Sequence, residues 1–201
     1  MLKPAHLYQE QLKQRMLNTW YDPEYQWYYD ANPYIPEFPD YPDNYRQFVS
    51  VDKNDNVIGY FSYKFNPATR RAFNFGIINF TEDKLTFGKD LKSFIEDIFW
   101  KYGLSFIEFF AFVENPAIDM YNKFIQTYGG RKVGMLRQAA MTQDGNPHDV
   151  FLFEIARSDL SWKPVDGKMK LIKNNKPSFK EIFKEFQENY KEDLLKWEQM
   201  I

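Results

Sequence analysis

Ser105 to Val113 is a nearly unbroken apolar run, and Asn115-Pro116 follows it almost at once. A run that short reads as a strand buried on both faces, and such strands occur where helices cover a sheet from either side. The Asn-Pro pair then opens a helix, with Asn115 as the cap and Pro116 at the first helical position, where a missing N–H costs nothing. The junction therefore commits this part of the chain to an α/β domain. Gly129-Gly130 marks where the helix should stop.

The flanking segments extend the pattern. Ala5 to Leu17 has Tyr8, Leu12 and Met16 at helical spacing. Arg46 to Val51 and Val57 to Phe65, joined by Asp52-Lys53-Asn54-Asp55-Asn56, read as a hairpin, and Ala72 to Phe80 reads as a third strand. Lys89 to Tyr102 sets Leu91, Phe94, Ile95, Ile98 and Tyr102 at steps of three and four, and Gly103 closes that helix. Val133 to Thr142 and His148 to Ala156 form a last hairpin. Lys163 to Lys176, with five lysines and one aspartate, reads as a solvated basic linker between a domain at 1–157 and an appended C-terminal helix. Ser178 and Glu181 make a capping box for that helix, which runs through Phe186 and Leu194 to Trp197.

Composition narrows the chemistry. The 201 residues hold no cysteine and two histidines, His6 and His148, so thiolate chemistry and a histidine-rich metal centre have nothing to be built from. Proton transfer falls to carboxylates, tyrosines or lysines. A net charge of −2 supplies no cationic field for nucleic acid. Met1 to Lys13 carries charges where a signal peptide needs an apolar run, and no stretch has the length of a spanning helix, so a cytoplasmic protein without membrane partners is expected.

The strangest stretch is Trp20 to Tyr45: ten aromatics, five prolines, six carboxylates and no lysine or arginine. Prolines at 33, 36, 39 and 42 favour extended backbone. Rings and carboxylates with no positive charge suit a cationic ligand, with Trp27, Tyr29, Tyr34 and Glu37 as candidate contacts. The same rings would equally well staple the loop to the sheet.

In order and in detail, Val57 to Ala156 resembles the GNAT superfamily of N-acetyltransferases. Phe112-Val113-Glu114-Asn115-Pro116, followed by Tyr121, is similar to the family's strand end, cap and tyrosine. Tyr128-Gly129-Gly130-Arg131-Lys132-Val133-Gly134 is similar to the end of that helix, and Val57-Ile58-Gly59-Tyr60-Phe61 to the family's second hairpin arm. The family's pyrophosphate loop is matched at Asp83 to Gly88 only by Gly88.

The resemblance implies a mixed, largely antiparallel sheet flanked by helices, with acetyl-CoA between two splayed central strands, Ile77 to Phe80 beside Ile107 to Val113. Its implied contacts are Ile78, Asn79, Phe80, Thr86, Phe87, Gly88, Lys89, Asp90, Asn115 and Tyr121. Tyr121 would be the general acid for transfer of acetyl to a small-molecule or peptide amine by direct attack. Glu108, flanked by apolar neighbours, is either the base or a salt-bridged structural glutamate, and Glu114 is a second candidate. The alternative is a non-catalytic acyl-CoA-binding or protein-interaction module whose phosphate loop has decayed. Phe186, Leu194 and Trp197 would pack on the chain's own sheet or on a second copy in a homodimer.

Overall fold

The structure, a computed structural model, describes residues 1–19, 22–27, 44–82, 84–142 and 145–174. The candidate contacts Tyr29, Tyr34 and Glu37 and the expected C-terminal helix lie outside these residues. The elements are β1 (Leu2–Pro4), α1 (Gln9–Thr19), β2 (Tyr45–Val51), β3 (Val57–Asn66), β4 (Arg71–Asn79), α2 (Lys84–Trp100), β5 (Phe106–Phe112), α3 (Ile118–Tyr128), β6 (Arg131–Met141), β7 (Pro147–Ala156), β8 (Ser161–Val165) and β9 (Lys168–Ile172), with short 3-10 turns between. Seven strands form one sheet in the order β1-β2-β3-β4-β5-β7-β6. Every neighbouring pair is antiparallel except β4 and β5. The expected mixed, largely antiparallel sheet is what forms. No helix among the described residues is long and apolar enough to cross a membrane.

Two apolar clusters cover the sheet. On one face α1 sets Leu12 and Met16, with Ala5, against Val49, Val51, Val57, Tyr60 and Ile78. On the other, α2 packs Phe87, Phe94, Ile95, Ile98 and Phe99 on Phe48, Phe61, Tyr63 and Ile107, with Phe124 and Tyr128 of α3 beside them. Gly59 has a packing reason: a Cβ there would stand 2.5 Å from the Phe87 ring, which lies stacked on Phe61 at 4.9 Å. Burial of Tyr63 pushes its hydroxyl well above the usual phenol range.

Two expectations are corrected. Helix α2 begins at Lys84, five residues before the expected start, because Phe87 lies one turn ahead of Leu91 on the same buried stripe. Gly88 is therefore an exposed residue inside the helix, with open space where a Cβ would stand. The stretch read as a basic linker is also structured. Residues 161–172 form the β8–β9 hairpin, which lies on α2 with Leu171 fully buried and Trp162 edge-on to Phe99 and Trp100. Buried Glu96 on α2 accepts from the Leu171 amide at 2.9 Å and pairs with Lys170 at 2.8 Å, so one of the lysines and the backbone beside it have a partner on the helix. A run of five lysines reads as a solvated segment; Trp162 and Leu171, on the same hairpin, do the packing.

Candidate functional site

The central parallel pair barely pairs. Strands β4 and β5 are in register only at Arg71 with Phe106 and Ala72 with Ile107. Beyond that point they separate, and the gap widens toward their C-terminal ends. The cause on the β4 side is one extra residue: Ser62 to Lys64 on β3 spans two residues while Gly76 to Phe73 on β4 spans three, with Asn74 in the left-handed region at φ 50°. The bulge bends the strand away and reverses which side chains face which way. Arg71, before it, points to the face that carries Glu108 and Glu154. Phe75 and Ile77, after it, line a cavity under α2 and α3.

Ladder geometry fixes which main-chain groups border the gap. The Phe80 amide bonds to the Ile58 carbonyl, so Phe80 and, two residues back, Ile78 turn their polar groups to β3, and those of Ile77 and Asn79 turn to the gap. Across it, the Val113 amide bonds to Asp149, so the alternate residues Glu108, Phe110 and Phe112 turn main-chain groups toward β4. A strand edge whose polar groups turn to such a gap, as those of Ile77 and Asn79 do, can accept an amide-bearing chain as an additional strand.

Two cavities occupy the wedge. The larger, about 160 Å³, is apolar and is walled by Ile77, Leu91, Phe109, Tyr121 and Phe124. A smaller one of about 30 Å³ lies at the mouth, where Trp27, Ala111, Asn115 and Tyr121 meet. Tyr121 borders both. It sits in the first turn of α3, its amide bonded to the Ala117 carbonyl at 3.0 Å and its ring edge-on to Phe109 and Phe153. Asn115 is not the cap it was expected to be: α3 starts at Ile118 with Ala117 at its N-cap, Pro116 lies in the turn before it, and Asn115 instead closes that turn. Its Oδ1 accepts from the Ala117 amide at 2.8 Å and its Nδ2 donates to the Trp27 carbonyl at 3.3 Å, so α3 starts at Ile118 and the aromatic segment is tied to its entry turn.

The remaining expected residues divide. Trp27 is at the site, edge-on to Phe112 and His148. Asn79 borders the gap through its backbone, whereas the buried Ile78 side chain joins the α1 cluster. Thr86, Phe87, Gly88, Lys89 and Asp90 are not a loop: they lie within α2. Phe87 is core, and the buried Asp90 accepts from Ser50 at 2.6 Å and pairs with the chain's terminal amine at 2.8 Å. The helix N-terminus that could meet an anion is at Lys84, four residues after β4 leaves the sheet at Phe80. Glu108 is on the face opposite Tyr121. It pairs with Arg71 at 3.1 Å, and Arg71 also holds Glu154 at 2.8 Å, so the salt-bridged alternative is the one the structure contains. The Arg71 hydrogen bond, with a second from Arg131, keeps the Glu154 carboxyl below its usual range.

The sequence reading passed over His148. Its Nδ1 stands 3.5 Å from Glu114 and its Nε2 3.2 Å from the Thr142 hydroxyl, and its ring closes a triangle with Trp27 and Phe112. As a solitary histidine at a strand start it carried no local signal.

An acyl-CoA fits this arrangement on observations internal to the chain: main-chain groups of Ile77 and Asn79 turned to the gap for the pantetheine amides, an apolar cavity beneath them, and a helix start at the wedge's end.

No protein-family model matches the chain, and no curated protein sequence does. Solved structures do. The spermidine/spermine N-acetyltransferase SpeG from Vibrio cholerae, in a complex with manganese ions, is 20% identical over 79% of this chain and 92% of its own, with a TM-score of 0.59. The same enzyme in complex with CoA and spermine gives 20%, 79%, 96% and 0.59. A K23-Q34 chimera of the Vibrio cholerae enzyme with hSSAT is 27% identical over 59% of this chain and 70% of its own, with a TM-score of 0.52. The strand order, the splay between β4 and β5 and this likeness show that the chain has the fold of the GNAT superfamily of N-acetyltransferases.

Proposed function

We propose that this protein is an N-acetyltransferase that moves acetyl from acetyl-CoA to a primary amine by direct attack. The observation that carries the reading is Tyr121, on the first turn of α3, bordering both cavities of a wedge where β4 and β5 pair with each other at only two positions. Acetyl-CoA supplies the activated thioester. The chain supplies the rest. Main-chain groups of Ile77 and Asn79 on β4 hold an extended amide chain in register, and the start of α2 with Lys84 receives its phosphates. Phe109, Leu91 and Phe124 keep water from the cavity. Tyr121 holds the proton that the departing sulfur takes, at a fixed position relative to the mouth where the amine enters. Direct attack needs no acyl-enzyme, and a chain without cysteine has no thiol to form one.

An amine acceptor has two supports. Trp27 puts a ring at the mouth, and the structural neighbours are spermidine N-acetyltransferases, one of them holding spermine. The carboxylates and rings of the sequence from Trp20 to Tyr45 suit a cation by their chemistry. We place the protein in the cytoplasm.

The test is in two steps. Acetyl-CoA at saturating concentration should raise the melting temperature, and no shift would remove both the enzyme and a non-catalytic acyl-CoA module. Thiol release in the presence of an amine panel then reads turnover, free of background from a protein without thiols. Tyr121→Phe should lower kcat by about 10²-fold while the acetyl-CoA-induced shift persists, a loss in the range of general-acid removal. Unchanged turnover would refute the role given to Tyr121. Binding without turnover of any amine would leave the module.

A further inference from the structure

The larger cavity of the wedge has more room than an acetyl group uses. It measures about 160 Å³, and apolar cavities of about 150 Å³ stay dry and take in benzene, so it holds a group of about six carbons. An acetyl brings one methyl. Besides the residues named above, Phe75 of β4, Ile95 of α2, Ile107 of β5 and Ile155 of β7 line it, and among the described lining residues only Tyr121 carries a side-chain oxygen or nitrogen. The walls brace one another: Phe75 stands edge-on to Phe94 at 6.0 Å and to Phe109 at 6.5 Å.

Direction decides what fills the space. A carrier that starts beside Lys84 and runs along β4 past Asn79 and Ile77 heads for the closed end of the wedge, where Ala72 pairs with Ile107. Phe75 and Ile107 set the cavity at that end. The pantetheine arm has two amides and a hydroxyl, whose hydrogen bonds would be lost among hydrocarbon walls, so it stays on the main-chain edge of β4. What continues past the thioester is the acyl chain.

We propose that this cavity is an acyl pocket, and that the protein takes donors with an acyl group of about four to six carbons in preference to acetyl. The inference rests on the acyltransferase reading for the carrier and adds what the carrier delivers. The balance of the reaction is unchanged. The amine nitrogen bonds to the thioester carbon, the C–S bond breaks with its electron pair going to sulfur, Tyr121 protonates that sulfur, and the proton shed by the nitrogen restores the phenol. The products are a longer amide and free CoA. Each methylene moved from water into the cavity is worth about a fourfold gain in affinity, so butanoyl-CoA should bind about 15-fold tighter than acetyl-CoA. A longer chain meets Phe75 and the Ala72–Ile107 pair, and the gain ends.

Calorimetric titration of acetyl-, butanoyl-, hexanoyl-, octanoyl- and decanoyl-CoA into the full chain gives the affinity series, and thiol release with spermidine added gives turnover of each donor. Affinity should rise from acetyl through butanoyl to hexanoyl and fall beyond it. A flat or falling series from acetyl to hexanoyl overturns the proposal, as does a rise that continues through decanoyl, the mark of unspecific apolar binding. Ile95→Phe puts a ring into the cavity and should bring hexanoyl-CoA to the affinity of acetyl-CoA or below. Ile95→Ala empties part of the wall and should move the optimum to octanoyl. Circular dichroism identifies which variants are folded, and a folded variant that keeps the native order of donors overturns the assignment of this cavity. A rise to hexanoyl with no turnover of any donor keeps the pocket and removes the acyltransferase reading. Thiol release from acetyl-CoA with no gain from butanoyl-CoA keeps the enzyme and removes the pocket.

Discussion

Arg71→Met tests what closes the wedge. Arg71 stands in the first of the two β4–β5 pairs, with its guanidinium 3.1 Å from Glu108, 2.8 Å from Glu154 and 4.7 Å above the Phe106 ring. Glu108 and Glu154 face each other directly across the β5–β7 ladder, and like charges in that position repel. Two unit charges ~5 Å apart at an effective dielectric of ~20 interact by about 3 kcal/mol, and solvent screening at side chains about a third exposed roughly halves that. Adding the lost charge-assisted hydrogen bonds, and allowing for the contact methionine keeps with Phe106, the substitution should destabilise the fold by about 2 kcal/mol at neutral pH. Urea denaturation should show this as a midpoint lowered by about 1 M.

The pH dependence identifies the cause. Arg71 holds the folded Glu154 carboxyl below its usual value, so its contribution is fully present above the unfolded carboxyl's pKa and is lost as pH falls through the folded one. Native protein and variant should therefore differ by about 2 kcal/mol at pH 7 and converge as pH falls through the folded carboxyl's pKa. An equal midpoint difference throughout would show that Arg71 acts by packing on Phe106 and not by charge.

Three further substitutions probe the elements around the site. Gly59→Ala forces a methyl to within 2.5 Å of the Phe87 ring and should cost about 1–3 kcal/mol; calorimetry should find a melting temperature lower by about 4–8 °C, and an unchanged one would mean that the start of α2 moves freely. Leu171→Ala empties a fully buried site between the β8–β9 hairpin and α2 and should cost about 3 kcal/mol, with hydrogen exchange quickening first at the β9 amides; exchange confined to other strands would refute the docking. Asn115→Ala removes both the bond to the Ala117 amide and the one to the Trp27 carbonyl and should cost about 1 kcal/mol, most of it restored by Asn115→Asp, which keeps the acceptor and loses the donor; equal losses in the two variants would assign the stability to the Trp27 tether.

Local signals were legible and long-range ones were not. The end of α3 at Gly129 and the hairpin arms are each written in adjacent residues and lie where the spacing puts them, whereas the helix opened by Asn115-Pro116 starts two residues later, at Ile118. The start of α2 was misread because a glycine at 88 reads as a loop when the ring one position earlier has no visible partner. That partner is Phe61, 26 residues away on β3, with Gly59 making room for it. Glu108 shows the same limit: a carboxylate in an apolar strand looks poised for chemistry until Arg71, 37 residues away, is found beside it. His148 could not be placed before Glu114 and Trp27 were known to converge on it.

The bulge at Asn74 ties these cases together. Strict alternation along β4 would send Arg71, Phe73, Phe75 and Ile77 to one face, which would bury a guanidinium under α2 or strip the cavity of two apolar walls. One inserted residue lets a single strand do both tasks, holding the Glu108–Glu154 pair with its first half and lining the wedge with its second. The same insertion bends β4 away from β5 and leaves main-chain groups of Ile77 and Asn79 turned to the gap. Deleting Asn74 should restore the alternation, drive Arg71 toward the apolar face or force a slip against β3, and close the wedge. The acetyl-CoA-induced rise in melting temperature should then vanish in whatever folded fraction remains, judged by circular dichroism. A folded deletion variant that still responds to acetyl-CoA would show that the gap does not depend on the bulge.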